Sequence, residues 1–230
     1  MALNGLQLTR LFAHGTQLRD AAPIQNMPLR ELDVGNTEQR SFDWMQPMPL
    51  EVVNVENTQI RDLGPLKGKR LRFLNAARTG VSDISLLRDM PLTWLSLAGT
   101  TVSDLSPLKG APLKELNLSD THVSDLEPLR QLPIESLNVA ATSVDNLDPL
   151  GGMPLRYLDV QGTKVRDLSA VAKLPLVSLN CQKTRIRSLH ALNRSPIQQV
   201  WLDATDESSK SVLRSMPNLR TVNGVAWTRW

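Results

Sequence analysis

Apolar and polar residues recur along the chain with a period of 21 residues, from Gln7 to Met216, without an insertion. Ten full rows of 21 residues result, and a shortened eleventh row begins at Pro217. The consensus row is P-L-x-x-L-x-L-x-x-T-x-V-x-D-L-x-P-L-x-x-[LM], and its positions are numbered below as columns. A repeat of this length indicates a solenoid, in which each row buries its leucines by stacking on its neighbours.

Each column predicts a local structure. The alternation in Leu95-Ser96-Leu97 is typical of a short strand with one buried face, and strands of adjacent rows are expected to pair as a parallel sheet. Column ten is threonine in all ten full rows, where its hydroxyl is expected to bond backbone groups in neighbouring loops. Column fourteen holds only Asp, Asn or Ser, the residues that cap helices, and precedes short apolar segments such as 105–108. These segments predict capped 3₁₀ turns or single helical turns on the outer face.

Rows such as PLKELNLSDTHVSDLEPLRQL resemble leucine-rich repeats of the short bacterial type over residues 7–223, with threonine where the commonest pattern has asparagine. The resemblance implies an α/β solenoid of ten to eleven repeats, with a parallel β-sheet on the concave face and short 3₁₀ or single-turn helices on the convex face. Threonine-type rows that close in LRTVNG, residues 219–224, also resemble repeat tails of bacterial multidomain proteins, including some serine/threonine kinases.

We expect one repeat domain over 1–230, with a lead-in at 1–6, ten full repeats at 7–216, and a truncated repeat with a C-terminal cap at 217–230. Row ten departs from the consensus at 206–213, which favours a true capped helix. Trp227 and Trp230 follow the last strand and are expected to cover the exposed end of the core. At the other end, row one is either a thin cap or is covered by an upstream segment.

Composition narrows the class of protein further. The chain is 41% hydrophobic and 21% charged, as in soluble globular proteins, and it has neither an apolar run of 18 residues nor a visible signal peptide. Its single cysteine, Cys181, excludes an internal disulfide and favours a cytoplasmic location, although a fragment of a longer protein would leave the compartment open. The net charge of +3 is too small to indicate nucleic acid, so neither a nucleic-acid nor a membrane partner is expected, and a monomer is favoured.

The sequence contains no pattern that predicts catalysis. His14, His122 and His190 fall in different columns of distant rows, so they cannot converge on a metal ion. Cys181 occupies column seven, where a small buried apolar residue is expected, and capping accounts for the column of aspartates. We therefore predict no catalytic residue, no metal and no cofactor, and a protein that is not an enzyme.

Candidate binding residues lie on the concave face, to which columns four and six contribute. Column four places Val52, Phe73 and Trp94 in consecutive rows as one apolar stripe, with Glu115 and Tyr157 further along. Exposed apolar clusters mark interaction sites, and Trp and Tyr are favoured anchors, but cross-strand pairing that only stiffens the sheet is the alternative. Column six adds amides that include Asn75 and Asn117, which either bind a ligand or bond one another along the sheet.

A second candidate site is a cluster of cations in the loops of rows eight and nine. Its members share one edge of the solenoid: Lys164, Arg166, Lys183, Arg185 and Arg187. Arg156 is a candidate extension of the cluster. Such a cluster favours an acidic partner or a phosphate-rich surface, and a solvated edge is the alternative. Binding of single-stranded nucleic acid would require interleaved aromatic residues, for which Tyr157 is the one candidate nearby.

The function that the sequence favours is a protein–protein interaction module that binds its partner on the concave face. Two alternatives remain open at this point. In the first, the chain is the C-terminal sensing or docking region of a larger bacterial signalling protein, such as a serine/threonine kinase. In the second, it is a glycan-binding surface protein.

Overall fold

The computed structural model describes residues 6–18, 21–203 and 206–228. Within these residues twelve short strands form one sheet in chain order, in which the first eleven are parallel and the twelfth is antiparallel. The strands are β1 Arg10–Phe12, β2 Glu31–Asp33, β3 Val52–Asn54, β4 Phe73–Asn75, β5 Trp94–Ser96, β6 Glu115–Asn117, β7 Ser136–Asn138, β8 Tyr157–Asp159, β9 Ser178–Asn180, β10 Gln199–Trp201, β11 Thr221–Val222 and β12 Val225–Ala226. From β1 to β10 each residue pairs with the one 21 positions later, so residues of one column lie side by side.

Short 3₁₀ helices occupy the opposite side of rows two to nine, as the apolar segments after column fourteen predict. They span Asp43–Met45, Gly64–Leu66, Ser85–Leu87, Ser106–Leu108, Glu127–Leu129, Asp148–Leu150, Ser169–Val171 and His190–Leu192. In rows three to nine the side chain of column fourteen accepts a hydrogen bond from the first helical N–H; Asp104 Oδ1 lies 2.8 Å from the nitrogen of Ser106. That N–H and the Ser106 hydroxyl hold the pKa of Asp104 below its ordinary value.

A continuous core lies between the sheet and the 3₁₀ helices. Row six shows which columns build it, since Leu132 is 4% exposed and six further residues are at most 2% exposed: Leu113, Leu116, Leu118, Val123, Leu126 and Leu129. A single row exposes these side chains above and below itself. The stacking of rows therefore supplies the burial, at about 25 cal/mol for each Å² of apolar surface removed from water.

The turn after each strand is built by columns nine and ten. Column nine adopts a positive φ in each of the described rows one to nine, whether it holds glycine, as Gly99 does, or Ala141 at 56° or Lys183 at 54°. Column ten follows with a threonine whose hydroxyl donates to the carbonyl oxygen three residues earlier, at 2.6 Å from Thr100 to Leu97. The expectation of bonds to neighbouring loops was therefore wrong, because this bond closes the turn within its own row. Thr205 lies outside the described residues.

The C-terminal rows depart from the 21-residue period. Helix α1, Glu207–Ser215, replaces the 3₁₀ turn of row ten, and its N-cap is Asp206, whose side chain accepts from the Ser209 N–H at 2.8 Å. The helix predicted there is confirmed, but Ser209 lies inside its first turn and is not the cap. Because Gln199 pairs with Thr221, 22 positions later, β11 is shifted by one residue from the expected register.

The sheet ends in a hairpin that the repeat pattern did not predict. Strands β11 and β12 are joined by Asn223 and Gly224, both with positive φ, which is the conformation of a tight two-residue hairpin turn. Trp227 follows and is half-buried against the core, where a covering residue was expected. Trp230 lies outside the described residues.

Candidate functional site

The aromatic stripe occupies the first positions of three neighbouring strands, on the side of the sheet that faces away from the core. Val52 pairs with Phe73, and Phe73 pairs with Trp94. The rings of Phe73 and Trp94 are stacked, with centroids 4.1 Å apart and planes 10° apart. Trp94 Nε1 donates to Glu115 Oε2 at 3.1 Å. The sheet thus joins Val52, Phe73, Trp94 and Glu115 into one half-exposed surface.

Charged side chains frame this surface at its N-terminal end. Arg10 Nε lies 2.7 Å from Glu31 Oε2, and Arg30 pairs with Glu51. Arg72 lies between the two carboxylates, 3.8 Å from Glu51 and 4.0 Å from Glu31. Exposed ion pairs contribute about 0–1 kcal/mol to stability. Each of these charges thus has an oppositely charged neighbour, so the apolar groups are what distinguishes the stripe from its surroundings.

Tyr157 lies apart from the stripe, although it belongs to the same column. Ser136 separates it from Glu115, and 47% of Tyr157 is exposed. It borders a groove of about 360 Å³ that also includes Ser178 and Trp201. This groove was not among the predicted sites. The signal was available, since serines on both sides of Tyr157 in column four leave the faces of its ring uncovered.

Column six forms a bond along the sheet where Asn180 Nδ2 donates to Asp159 Oδ2 at 3.2 Å, but not at Asn75 and Asn117. Asn75 Oδ1 accepts from the backbone N–H of Ala77 at 3.2 Å, and Asn117 Oδ1 accepts from Ser119 at 3.0 Å. These bonds hold each side chain against its own turn, so the expectation that neighbouring asparagines bond one another is not met at either residue. The Nδ2 of Asn75 donates to Glu56, whereas the Nδ2 of Asn117 has no partner among the described residues and is free to donate to a ligand.

The cations of rows eight and nine converge on one edge, which we call the basic edge. Lys164 N–H donates to the carbonyl of Val144, and Arg185 N–H donates to that of Val165, so three extended segments run side by side. This pairing places Lys164 beside Arg185 and, two columns on, Arg166 beside Arg187; Lys183 occupies the turn before them. Arg156 does not extend the edge, because it precedes β8 and its guanidinium carbon lies 6.0 Å from the ring centre of Tyr157.

The described residues offer no arrangement suited to metal binding. No group of three or more His, Cys, Asp or Glu side chains in that part of the chain is close enough to hold an ion. His14 lies 3.2 Å from Asp33 and 2.8 Å from Asn36, remote from the other two histidines. Across the same ranges, no helix has the length and apolar character needed to cross a membrane.

Cys181 is a core residue. It is 4% exposed, and its Sγ donates to the carbonyl of Trp201 at 3.3 Å. Burial, together with the charges of Asp203 and Asp159, raises the pKa of the thiol to about 12. A nucleophilic thiolate requires the opposite shift, so Cys181 fits the small apolar role expected for column seven.

Comparison with known proteins yields similarity in structure alone. No family model and no curated protein sequence matches the chain. Among solved structures, it is similar to an internalin, InlF, from Listeria monocytogenes at 19% identity and a TM-score of 0.63, over 94% of this chain and 80% of that one. Internalin C2 of the same species matches at 22% identity and 0.65, over 85% and 80%. A leucine-rich-repeat protein from Leptospira interrogans matches at 14% identity and 0.53, over 94% and 72%.

At identities below 25%, these structural matches show a common architecture and nothing beyond it. With the parallel sheet and the regular 3₁₀ turns, they show that this chain has the leucine-rich-repeat fold with about ten repeats, as predicted.

Proposed function

We propose that the chain is a non-enzymatic module that binds a protein partner on its concave face, with Val52, Phe73 and Trp94 as anchors and Glu115 beside them. The observation that carries the proposal is the stacked Phe73–Trp94 pair, half-exposed on a rigid sheet and extended by a hydrogen-bonded carboxylate. The fold does not require aromatic residues there, since column four holds serine or glutamine in other rows. Solenoid sheets of this type offer extended surfaces for partners.

A protein suits this surface better than a glycan does. A polysaccharide would be bound through many hydrogen bonds to side-chain amides, yet Asn75 uses both its Oδ1 and its Nδ2 within the protein, and Asn117 has only its Nδ2 left to donate. The apolar stripe supplies the kind of aromatic anchor that dominates protein interfaces. Service as the docking region of a larger signalling protein would use the same face in the same way.

The test is capture of partners from the lysate of the source organism by wild-type protein and by Phe73→Ala/Trp94→Ala. Tyr157→Ala is the matched control, because it removes an exposed aromatic residue of the same column outside the stripe. We expect a protein that wild type and the control retain and the double variant loses. For that partner, Trp94→Ala alone should weaken binding by about 2 kcal/mol, which is about 30-fold in Kd.

Circular dichroism and urea unfolding must show that the double variant is folded. Identical sets of retained proteins for wild type and a folded double variant would contradict the proposal. The stacked rings would then serve only to stiffen the sheet.

A further inference from the structure

The basic edge carries a concentration of charge that the rest of the solenoid does not compensate. Its five side chains are exposed, and no carboxylate among the described residues comes within 4 Å of their side-chain nitrogens. One carboxylate is nearby, since Asp203 accepts a hydrogen bond from the backbone N–H of Lys183. Several basic residues in other rows do form ion pairs, such as Arg130 with Glu127 at 2.6 Å and Lys114 with Glu135 at 3.8 Å. Placing five cations together without partners costs stability through mutual repulsion, which a bound anionic group would relieve.

An open cleft lies among these cations. It has a volume of about 630 Å³ and is lined by Arg166, Thr184, Arg185, Ile186 and Arg187. Ile186 is only partly buried, although column twelve is buried in rows two to eight; Val144 and Val165 in the two preceding rows are 0% exposed. Thr184 is likewise half-buried, whereas Thr163 is 3% exposed. The cleft therefore combines an accessible aliphatic side chain with cations on both sides of it.

The corresponding place in rows two and three lacks this combination. Arg40 and Arg61 occupy the same column as Arg166 and Arg187, and they also line a cleft. That cleft contains two carboxylates as well, Asp43 and Asp62, and its column-twelve residue Ile60 is 3% exposed. The same backbone position thus gives a balanced, closed surface there and a positive, partly apolar one at the basic edge.

We propose that the basic edge binds an extended acidic segment of a partner protein, in which an aliphatic residue lies between two carboxylates. In an extended chain, residues i and i+2 point to the same side, about 6.6 Å apart, and the residue between them points to the other. A segment that runs alongside residues 185–187 would alternate in the same way as they do. Its carboxylates at i and i+2 would then lie on the side of Arg185 and Arg187, and its intervening aliphatic side chain on the side of Ile186.

Two other anionic partners fit the cleft less well. Single-stranded nucleic acid is bound through bases stacked on aromatic rings, and the cleft has no aromatic side chain among its described lining residues, since Tyr157 lies on the concave face. A phosphate polymer would use the cations but would gain nothing from the accessible Ile186. The site is independent of the concave-face proposal, because it uses another face and other rows.

The test is a fluorescence-anisotropy titration of a labelled ten-residue peptide that contains Glu-Val-Glu between Ser-Gly flanks. We expect wild type to bind the peptide and to lose at least about tenfold in affinity between 50 and 300 mM NaCl, because exposed charge pairs are screened. Arg166→Gln/Arg185→Gln/Arg187→Gln should bind at least about tenfold more weakly than wild type. Arg40→Gln/Arg61→Gln is the matched control in the same columns and should bind as wild type does.

Competitor probes separate the partner classes. A Glu-Ser-Glu peptide should bind about threefold or more weakly, because a serine makes no apolar contact with Ile186. The Phe73→Ala/Trp94→Ala variant should bind the Glu-Val-Glu peptide normally, even if the concave-face proposal fails. Absence of binding, an equal loss in the Arg40/Arg61 control, equal affinity for Glu-Ser-Glu, or tighter binding of inorganic polyphosphate or a dT10 oligonucleotide would each overturn the proposal.

Discussion

Replacement of Thr100 by valine tests the claim that the column-ten hydroxyl closes each turn. Thr100 is 3% exposed, and its hydroxyl lies 2.6 Å from the carbonyl oxygen of Leu97. Valine has nearly the same shape, so the substitution leaves the packing of the methyl group in place. What it removes is one buried hydrogen bond in the middle of the solenoid.

The expected loss follows from what the carbonyl of Leu97 retains. After the substitution, this carbonyl still accepts the Thr100 N–H at 3.2 Å, so it keeps its weaker bond and loses its shorter one. A buried acceptor that loses a partner costs about 1–3 kcal/mol, and the remaining bond favours the lower part of that range, about 1–2 kcal/mol. Thr100→Ser keeps the hydroxyl and removes one buried methyl group, which costs about 0.8 kcal/mol.

Urea unfolding at 25 °C, followed by circular dichroism, measures both losses. Thr101→Val is the matched control, because Thr101 is the next residue, is exposed and makes no hydrogen bond through its side chain to the described residues. We expect Thr100→Val to lower the free energy of unfolding by about 1–2 kcal/mol and Thr101→Val to change it by less than about 0.5 kcal/mol. Equal effects of the two valines, or a larger loss for Thr100→Ser than for Thr100→Val, would refute the assignment.

Two further predictions concern the turn of row seven and the core of row nine. Ala141→Gly should raise the free energy of unfolding by about 0.5–1 kcal/mol in the same urea assay. The reason is that the strain free energy of alanine at a φ of 56° exceeds the entropic cost of glycine, which has more conformational freedom in the unfolded chain. A loss of stability would count against this prediction. Cys181, whose thiol pKa is raised to about 12 by burial, should stay unmodified by a disulfide reagent in native buffer at pH 8 and should react after unfolding in urea. Stoichiometric modification of the folded protein within minutes would contradict the burial described.

Most of the fold could be predicted because it repeats. A residue type that recurs ten times in one column is under the same local requirement each time, so strands, 3₁₀ turns and the core leucines followed from the consensus row. The turn conformation of column nine was not predicted, because its requirement is a positive φ and not a residue type. Gly99, Ala141 and Lys183 all adopt that φ with unrelated side chains. The hairpin was missed because a constant period was assumed, although Asn223-Gly224 between valines is a strong signal for a two-residue turn.

The candidate sites could be predicted only as far as the sheet register determines which residues are neighbours. The register brings Phe73 beside Trp94, and Lys164 beside Arg185, as column counting predicted. Contacts within a row depend on side-chain conformation, which the register does not determine. For this reason two contacts were not predicted: Asn117 accepts from the backbone N–H of Ser119 in its own row, and Arg156 lies over Tyr157 and away from the basic edge.

The two proposed sites should behave independently, and the architecture gives the reason. Each row of a solenoid contacts only the rows beside it, so its stability is nearly a sum of rows and of interfaces between neighbours. The aromatic stripe with Glu115 occupies rows three to six, whereas the basic edge occupies rows eight and nine, on another face. Row seven separates them with the consensus segment Ser136–Asn138. A substitution that empties one proposed site should therefore leave the other intact, and binding at one is expected not to block binding at the other.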